Sequence, residues 1–123
     1  MTRSRVVVLA AVLTIGGCAT NSRPPPLYYW GHYEEQIYAA HATGSTLTVH
    51  DQITALEGDK AVAGTRRLPP GFHAELGYLY SVDGQSDAAR AEFLAEKTAF
   101  PESAAFMDRL LAALDAPKKD TPK

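Results

Sequence analysis

The chain reads as an all-α fold, about five short helices packed as hairpins in a small stack. Three observations predict it. From Leu27 onward there is no clear alternation of apolar and polar residues with period two. Over the same stretch the helical spacing of apolar residues, three and four apart, recurs several times. Glycine- and proline-bearing breaks then cut that pattern into helix-length pieces.

The first piece places Tyr33, Ile37, Ala40 and His41 on one helix face and ends at Gly44. Thr48 stands three residues before Asp51, a capping box with Asp in place of Glu, and opens a second helix through Ile53 and Leu56 to about Ala63. Gly58 lies inside that helix and its apolar face is narrow. Leu68-Pro69-Pro70-Gly71 is a turn. Phe72, Leu76, Leu79 and Tyr80 then form one apolar stripe, stopped by Asp83-Gly84-Gln85. Ser86 is placed to cap a fourth helix carrying Ala89, Phe93 and Phe100, which Pro101 ends. Ser103 is placed to cap a fifth, with Phe106, Met107, Leu110, Leu111 and Leu114 facing inward. The expected folded domain is therefore 28–115, and 116–123 is expected to be a disordered, proline-bearing tail.

The 123 residues suffice for one ordinary domain, 46% of them apolar and 21% charged, which is a globular balance. The formal charge of −2 becomes −4 once Arg3 and Arg5 are removed with the leader described next. Basic residues then gather only at Arg66-Arg67 and in Lys118, Lys119 and Lys123, so no nucleic-acid partner is expected.

Residues 1–17 divide as an export signal does: Arg3 and Arg5, an apolar run from Val6 to Leu13, then Gly16 and Gly17. The run is far short of the roughly 20 residues a membrane-spanning helix needs. The single cysteine, Cys18, cannot form an internal disulfide. Ile15-Gly16-Gly17-Cys18 resembles a bacterial lipobox. That resemblance implies acylation of Cys18 and a mature protein starting there. The sorting rule of such lipoproteins, with Ala19 in place of Asp, implies the outer membrane, facing the periplasm. Residues 18–27 are then a lipidated cysteine and a spacer. The prolines Pro24, Pro25 and Pro26 would hold the domain about 20–25 Å from the lipid.

Residues 70–103 carry Leu76-Gly77, Tyr80, Gly84, Ala89, Phe93 and Pro101 at spacings that resemble one tetratricopeptide repeat of about 34 residues. His73 and Glu96 depart from its pattern, standing where Trp and a small residue are usual. The resemblance implies antiparallel helices that cross at Gly77 and Ala89, with Tyr80 and Phe93 between them, in a small right-handed stack. One repeat buries only one of its faces, so the helices on either side must supply its neighbours.

Longer strings resemble the domain of unknown function 4810 family of small bacterial lipoproteins: Tyr29-Trp30-Gly31-His32-Tyr33-Glu34, the run Pro69 to Leu79, Ala89-Arg90-Ala91-Glu92-Phe93, Phe100-Pro101-Glu102-Ser103 and Phe106-Met107-Asp108-Arg109-Leu110. The match spans Tyr28 to Leu111 and is poorest over 43–65. Members are typically encoded beside a CsgG-like envelope lipoprotein, which implies a shared envelope complex.

No reactive centre is expected. The four histidines lack the i, i+4 spacing of a metalloprotease helix, and no nucleophile elbow or phosphate-binding glycine loop is present. No enzyme activity, metal or cofactor is therefore expected, and Glu34 and Glu35 read as first-turn acids favoured by the helix dipole. Tyr28, Tyr29, Trp30 and Tyr33 form an aromatic cluster with two readings, packing of the first helix or an anchor for a partner. By the repeat resemblance, a concave binding face would offer Ala74, Tyr78 and Ser81, with Val82 at its end; Tyr78 fits a core position equally well. The expected function is a non-enzymatic outer-membrane adaptor for another envelope protein, the CsgG-like one by family resemblance. The alternative is a periplasmic regulator of a cell-wall synthesis or hydrolysis enzyme.

Overall fold

The computed structural model describes residues 24–116. The leader, Cys18 and the end of the tail lie outside the described residues. The described chain holds five α-helices: α1 (Tyr33–His41), α2 (Val49–Ala63), α3 (Phe72–Val82), α4 (Ser86–Ala99) and α5 (Ala104–Asp115). A single 3-10 turn, Pro101–Ser103, precedes α5. No strand occurs among the described residues.

Neighbouring helices run antiparallel. Gly71, at the head of α3, meets Glu96 near the end of α4, whereas Gly77 further along meets Ala89 and Phe93. Arg90 pairs with Asp115 and Lys97 with Asp108, which sets α5 antiparallel to α4. His32 and Gln36, either side of the start of α1, both reach Asp59 in the C-terminal half of α2.

The core has two parts. Ile53 and Leu56 of α2 pack with Phe72, Leu76 and Leu79 of α3, covered by Tyr33, Val49 and Leu68. Ala89 and Phe93 of α4 pack with Met107 of α5, flanked by Leu110, Leu111 and Leu114. Tyr80 touches both clusters and ties them together. Its ring does more than fill the α3–α4 gap, because its hydroxyl donates to Glu57 Oε1 of α2 at 2.9 Å. Burial and that carboxylate push the Tyr80 phenol up to about 12.

Local chemistry sets most boundaries. The Thr48–Asp51 box closes in both directions: Asp51 N–H donates to Thr48 Oγ1 at 3.1 Å and Thr48 N–H to Asp51 Oδ2 at 3.0 Å. The Thr48 hydroxyl also donates to Asp51 Oδ2 at 2.7 Å, and this bond, with that from the Thr48 N–H, holds the Asp51 carboxyl below its ordinary pKa. Helix α3 ends in a Schellman closure, with Gln85 N–H on Tyr80 O, Gly84 N–H on Ser81 O and Gly84 at φ +82°.

Three sequence expectations need correction. Ser86 does not cap α4; it is the first helical residue, and Gln85 holds the cap position without a side-chain bond. The Schellman closure already uses the Gln85 N–H, so the next helix starts without a spare residue. Ser103 does hold the N-cap position of α5, but its side chain makes no capping bond: the hydroxyl donates back to Phe100 O at 2.7 Å, and the 3-10 turn carries the chain into the helix. Phe106 does not face inward but is 54% exposed. Met107 is the buried member of that stripe, and a neighbour one residue away points about 100° off it.

Candidate functional site

The segment before α1 is held by the loop after α2. Tyr29 N–H donates to Arg67 O at 2.7 Å, and the Arg66 guanidinium lies over the Tyr29 ring, 3.9 Å from its centroid. Arg66 is itself oriented by the end of α2, donating to Val62 O at 2.6 Å and Ala63 O at 3.2 Å. Arg67 stands 5.6 Å from the Tyr28 ring and 6.0 Å from that of Phe100. Among the described residues neither arginine lies within ion-pair distance of a carboxylate.

The aromatic cluster divides in this setting. Tyr28 and Tyr29 are half-buried. Tyr33 is half-buried too, 5.2 Å from Phe72, and burial near Glu75 and Glu96 pushes its phenol up to about 12. Trp30 stacks on Tyr33 at 6.4 Å and remains 42% exposed.

Two buried acids each pair with a histidine: Asp59 with the exposed His32, and Glu92 with the largely buried His73. Asp59, 5% exposed, accepts His32 N–H at 3.0 Å, Gln36 Nε2 at 3.2 Å and the His32 ring at 3.1 Å. A carboxylate only accepts, so His32 Nδ1 carries the proton. This hydrogen bond, with the attraction of the same carboxylate, raises the His32 pKa above its ordinary value. Gly31 at φ +49° makes room: a Cβ there would stand 2.7 Å from Asp59 Oδ1.

Glu92 is the second such acid, accepting His73 Nδ1 at 2.6 Å and Lys60 Nζ at 2.5 Å. Burial works to raise its pKa, but these two partners outweigh burial and hold it below the ordinary value. Lys60 shows the mirror image: burial lowers its pKa, and Glu92 with Glu57 more than restores it. Nearby, Glu96 Oε1 accepts Gly71 N–H at 2.7 Å and closes the α3–α4 hairpin. His73 and Glu96, the two departures from the repeat pattern, are thus paired residues. The departures themselves were the signal for this polar chemistry. Asp59 gave no such signal, because its partners are 23 and 27 residues away.

On α3, Ala74, Tyr78 and Ser81 share a face, as spacing of four and three requires. Ala74 packs beside the α4–α5 cluster. Tyr78 and Val82 are each 53% exposed, and Ser81 Oγ donates to Tyr78 O at 2.6 Å. Along α1, Tyr33, Ile37, Tyr38 and His41 line an open hollow of about 960 Å³, and Tyr38 is 79% exposed. Glu75 of α3 is half-buried, and burial raises its pKa against a smaller opposing pull from His41.

Among the described residues, no three His, Cys, Asp or Glu side chains come together as metal ligands could. No described helix is long and apolar enough to cross a membrane.

Fold and surface define a small helical stack whose polar groups are largely engaged in holding helices together. The family model described as Domain of unknown function (DUF4810) matches residues 27–110, more than half of the chain. The protein belongs to this family. No curated protein and no solved structure matches it.

Proposed function

We propose that this protein is a non-enzymatic lipoprotein of the bacterial outer membrane, held by acylated Cys18 and facing the periplasm. It acts as a protein–protein adaptor in an envelope complex, with a CsgG-like lipoprotein as its partner. The observation that supports an adaptor over a catalyst is the way the polar residues are used. His32, Asp59, His73, Glu92 and Glu96 each bind another part of the fold, whereas Tyr38, Tyr78 and Val82 are exposed. Exposed tyrosines on a rigid helix are favoured contact residues at interfaces. Gly16-Gly17-Cys18 supports the anchor, and the family match supports the envelope context through the resemblance already drawn.

The test is recovery of partners from detergent-solubilised envelope with tagged protein. The CsgG-like lipoprotein should co-purify with the wild type, and Tyr78→Ala combined with Tyr38→Ala should reduce its recovery. Absence of any envelope partner with the wild type would overturn the adaptor reading.

A further inference from the structure

We infer that Leu27, Trp30, Arg66 and Arg67 form a membrane-docking patch that seats the helical domain on anionic phospholipid. The inference rests on the lipid anchor proposed above and adds a second point of attachment to it.

The first ground is composition at one place. Leu27, Tyr28, Tyr29, Trp30, Arg66 and Arg67 line a common hollow of about 380 Å³. Leu27 is 71% exposed and Trp30 42% exposed, apolar surface whose removal from water is favourable. Trp and Tyr favour the level of lipid headgroups, where one edge of the ring is apolar and the other wet. Arginine suits phosphate, because its planar fork donates two parallel hydrogen bonds.

The second ground is charge. Arg66 and Arg67 have no carboxylate partner among the described residues. The nearby acids are occupied: Asp59 by His32 and Gln36, and Glu92 by Lys60 and His73. Lys60 and His73 also line, with both arginines, an adjoining hollow of about 290 Å³. The chain as a whole is acidic at −2, so this junction is a local exception. Stacking on Tyr29 accounts for the position of Arg66. It does not account for an exposed leucine and tryptophan beside two unpaired cations.

The third ground is reach. Leu27 follows Cys18 by nine residues, so covalent geometry keeps it within about 30 Å of an anchor at that cysteine. Leu27 therefore brings the patch within reach of the lipid directly after the proline spacer, and Arg66 and Arg67 are held beside it by the contacts with Tyr28 and Tyr29. A lipid chain combined with a basic patch is a recognised pairing for firm membrane attachment. The domain would then lie against the surface and not stand off on its prolines.

Trp30 is the sole tryptophan of the sequence, so its fluorescence reports this patch alone. The full protein, purified from membranes, is reconstituted into vesicles whose phospholipids carry bromine in their acyl chains. One set is phosphatidylcholine; the other is phosphatidylcholine and phosphatidylglycerol in equal parts. Flotation reads the anchor, and Trp30 quenching reads the patch. We expect flotation in both sets, and a blue-shifted, quenched Trp30 emission that is several-fold stronger with phosphatidylglycerol and weakened by salt. Arg67→Glu and, separately, Leu27→Asp should float normally with quenching lost; Leu27 is too exposed for that change to threaten the fold. Flotation with Trp30 unquenched in both sets overturns the docking inference and leaves the anchor intact. Failure to float overturns the anchor, and the docking inference with it.

Discussion

Gly77 lies against the ring of Phe93, so closely that a Cβ at position 77 would stand 2.7 Å from two of its carbons. The same Cβ would come within 3.2 Å of Ala89 O. Phe93 is 1% exposed and Ala89 fully buried, so neither can retreat into solvent. Overpacking of this kind costs about 1–3 kcal/mol, against a gain in helix propensity of about 1 kcal/mol for Gly→Ala. Gly77→Ala should therefore lower thermal stability, and Gly77→Val should lower it further, as read by circular dichroism melting.

Gly58 is the internal control. It lies within α2 with nothing within 4 Å of its missing Cβ. There only propensity acts, and Gly58→Ala should stabilise the protein by about 0.5–1 kcal/mol. Melting shifts of opposite sign at these two glycines would show that close helix crossing, not flexibility, keeps Gly77.

Asp59 is predicted to hold α1 in place. Asp59→Ala strips acceptors from the His32 amide, the His32 ring and Gln36. The expected cost is about 2–3 kcal/mol, concentrated in α1, which has no fully buried residue of its own. Faster amide exchange across 33–41, with α3 and α4 still protected, is the signature to seek. By NMR, His32 should titrate above the ordinary imidazole value, and Asp59→Asn should bring it back. A raised folded-state pKa means that the pairing is fully present below the unfolded value. It is lost as pH rises through the raised one.

Glu92 carries the opposite sign. Its folded-state pKa is lowered, so its stabilisation is present above the ordinary glutamate value and disappears as pH falls through the lowered one. Glu92→Gln should cost about 2–4 kcal/mol near neutral pH, because Lys60 and His73 lose a buried partner. Urea unfolding at neutral and acid pH checks this. The gap between wild type and variant should shrink on acidification.

Cys18→Ser should abolish palmitate labelling and release the protein from the membrane fraction, since the remaining patch is too small to hold it firmly. Labelling that persists in the variant would contradict the lipid attachment.

Much of the fold was legible in the sequence because its signals are local. The Thr48–Asp51 box, the stop at Gly84 and the stripe Phe72–Leu76–Leu79 each specify structure within a few residues. The two serine expectations went astray where consecutive helices share a junction: the closure of α3 leaves Gln85, not Ser86, at the cap of α4, and Ser103, though at the cap of α5, turns its hydroxyl back to Phe100 O. The inward expectation for Phe106 failed because Met107 occupies the buried line and no described helix follows α5 to cover its other faces. Among the polar residues, His73 and Glu96 were visible as breaks in a repeat pattern. The partners they bind were not, since Glu92 and Gly71 become neighbours only after α3 and α4 close. Arg66-Arg67 was visible as a basic pair, but its stacking on Tyr28 and Tyr29 joins segments nearly forty residues apart.

The adaptor proposed above would work by presenting a surface, and the exposed Tyr78 of α3 is the place to catch a partner on it. A photo-crosslinking phenylalanine analogue replaces Tyr78 of α3, or, as a control, the similarly exposed Leu94 of α4, and intact cells are irradiated. The account predicts one discrete adduct from position 78, containing an envelope lipoprotein, and none from position 94. The same faint background from both positions would contradict it.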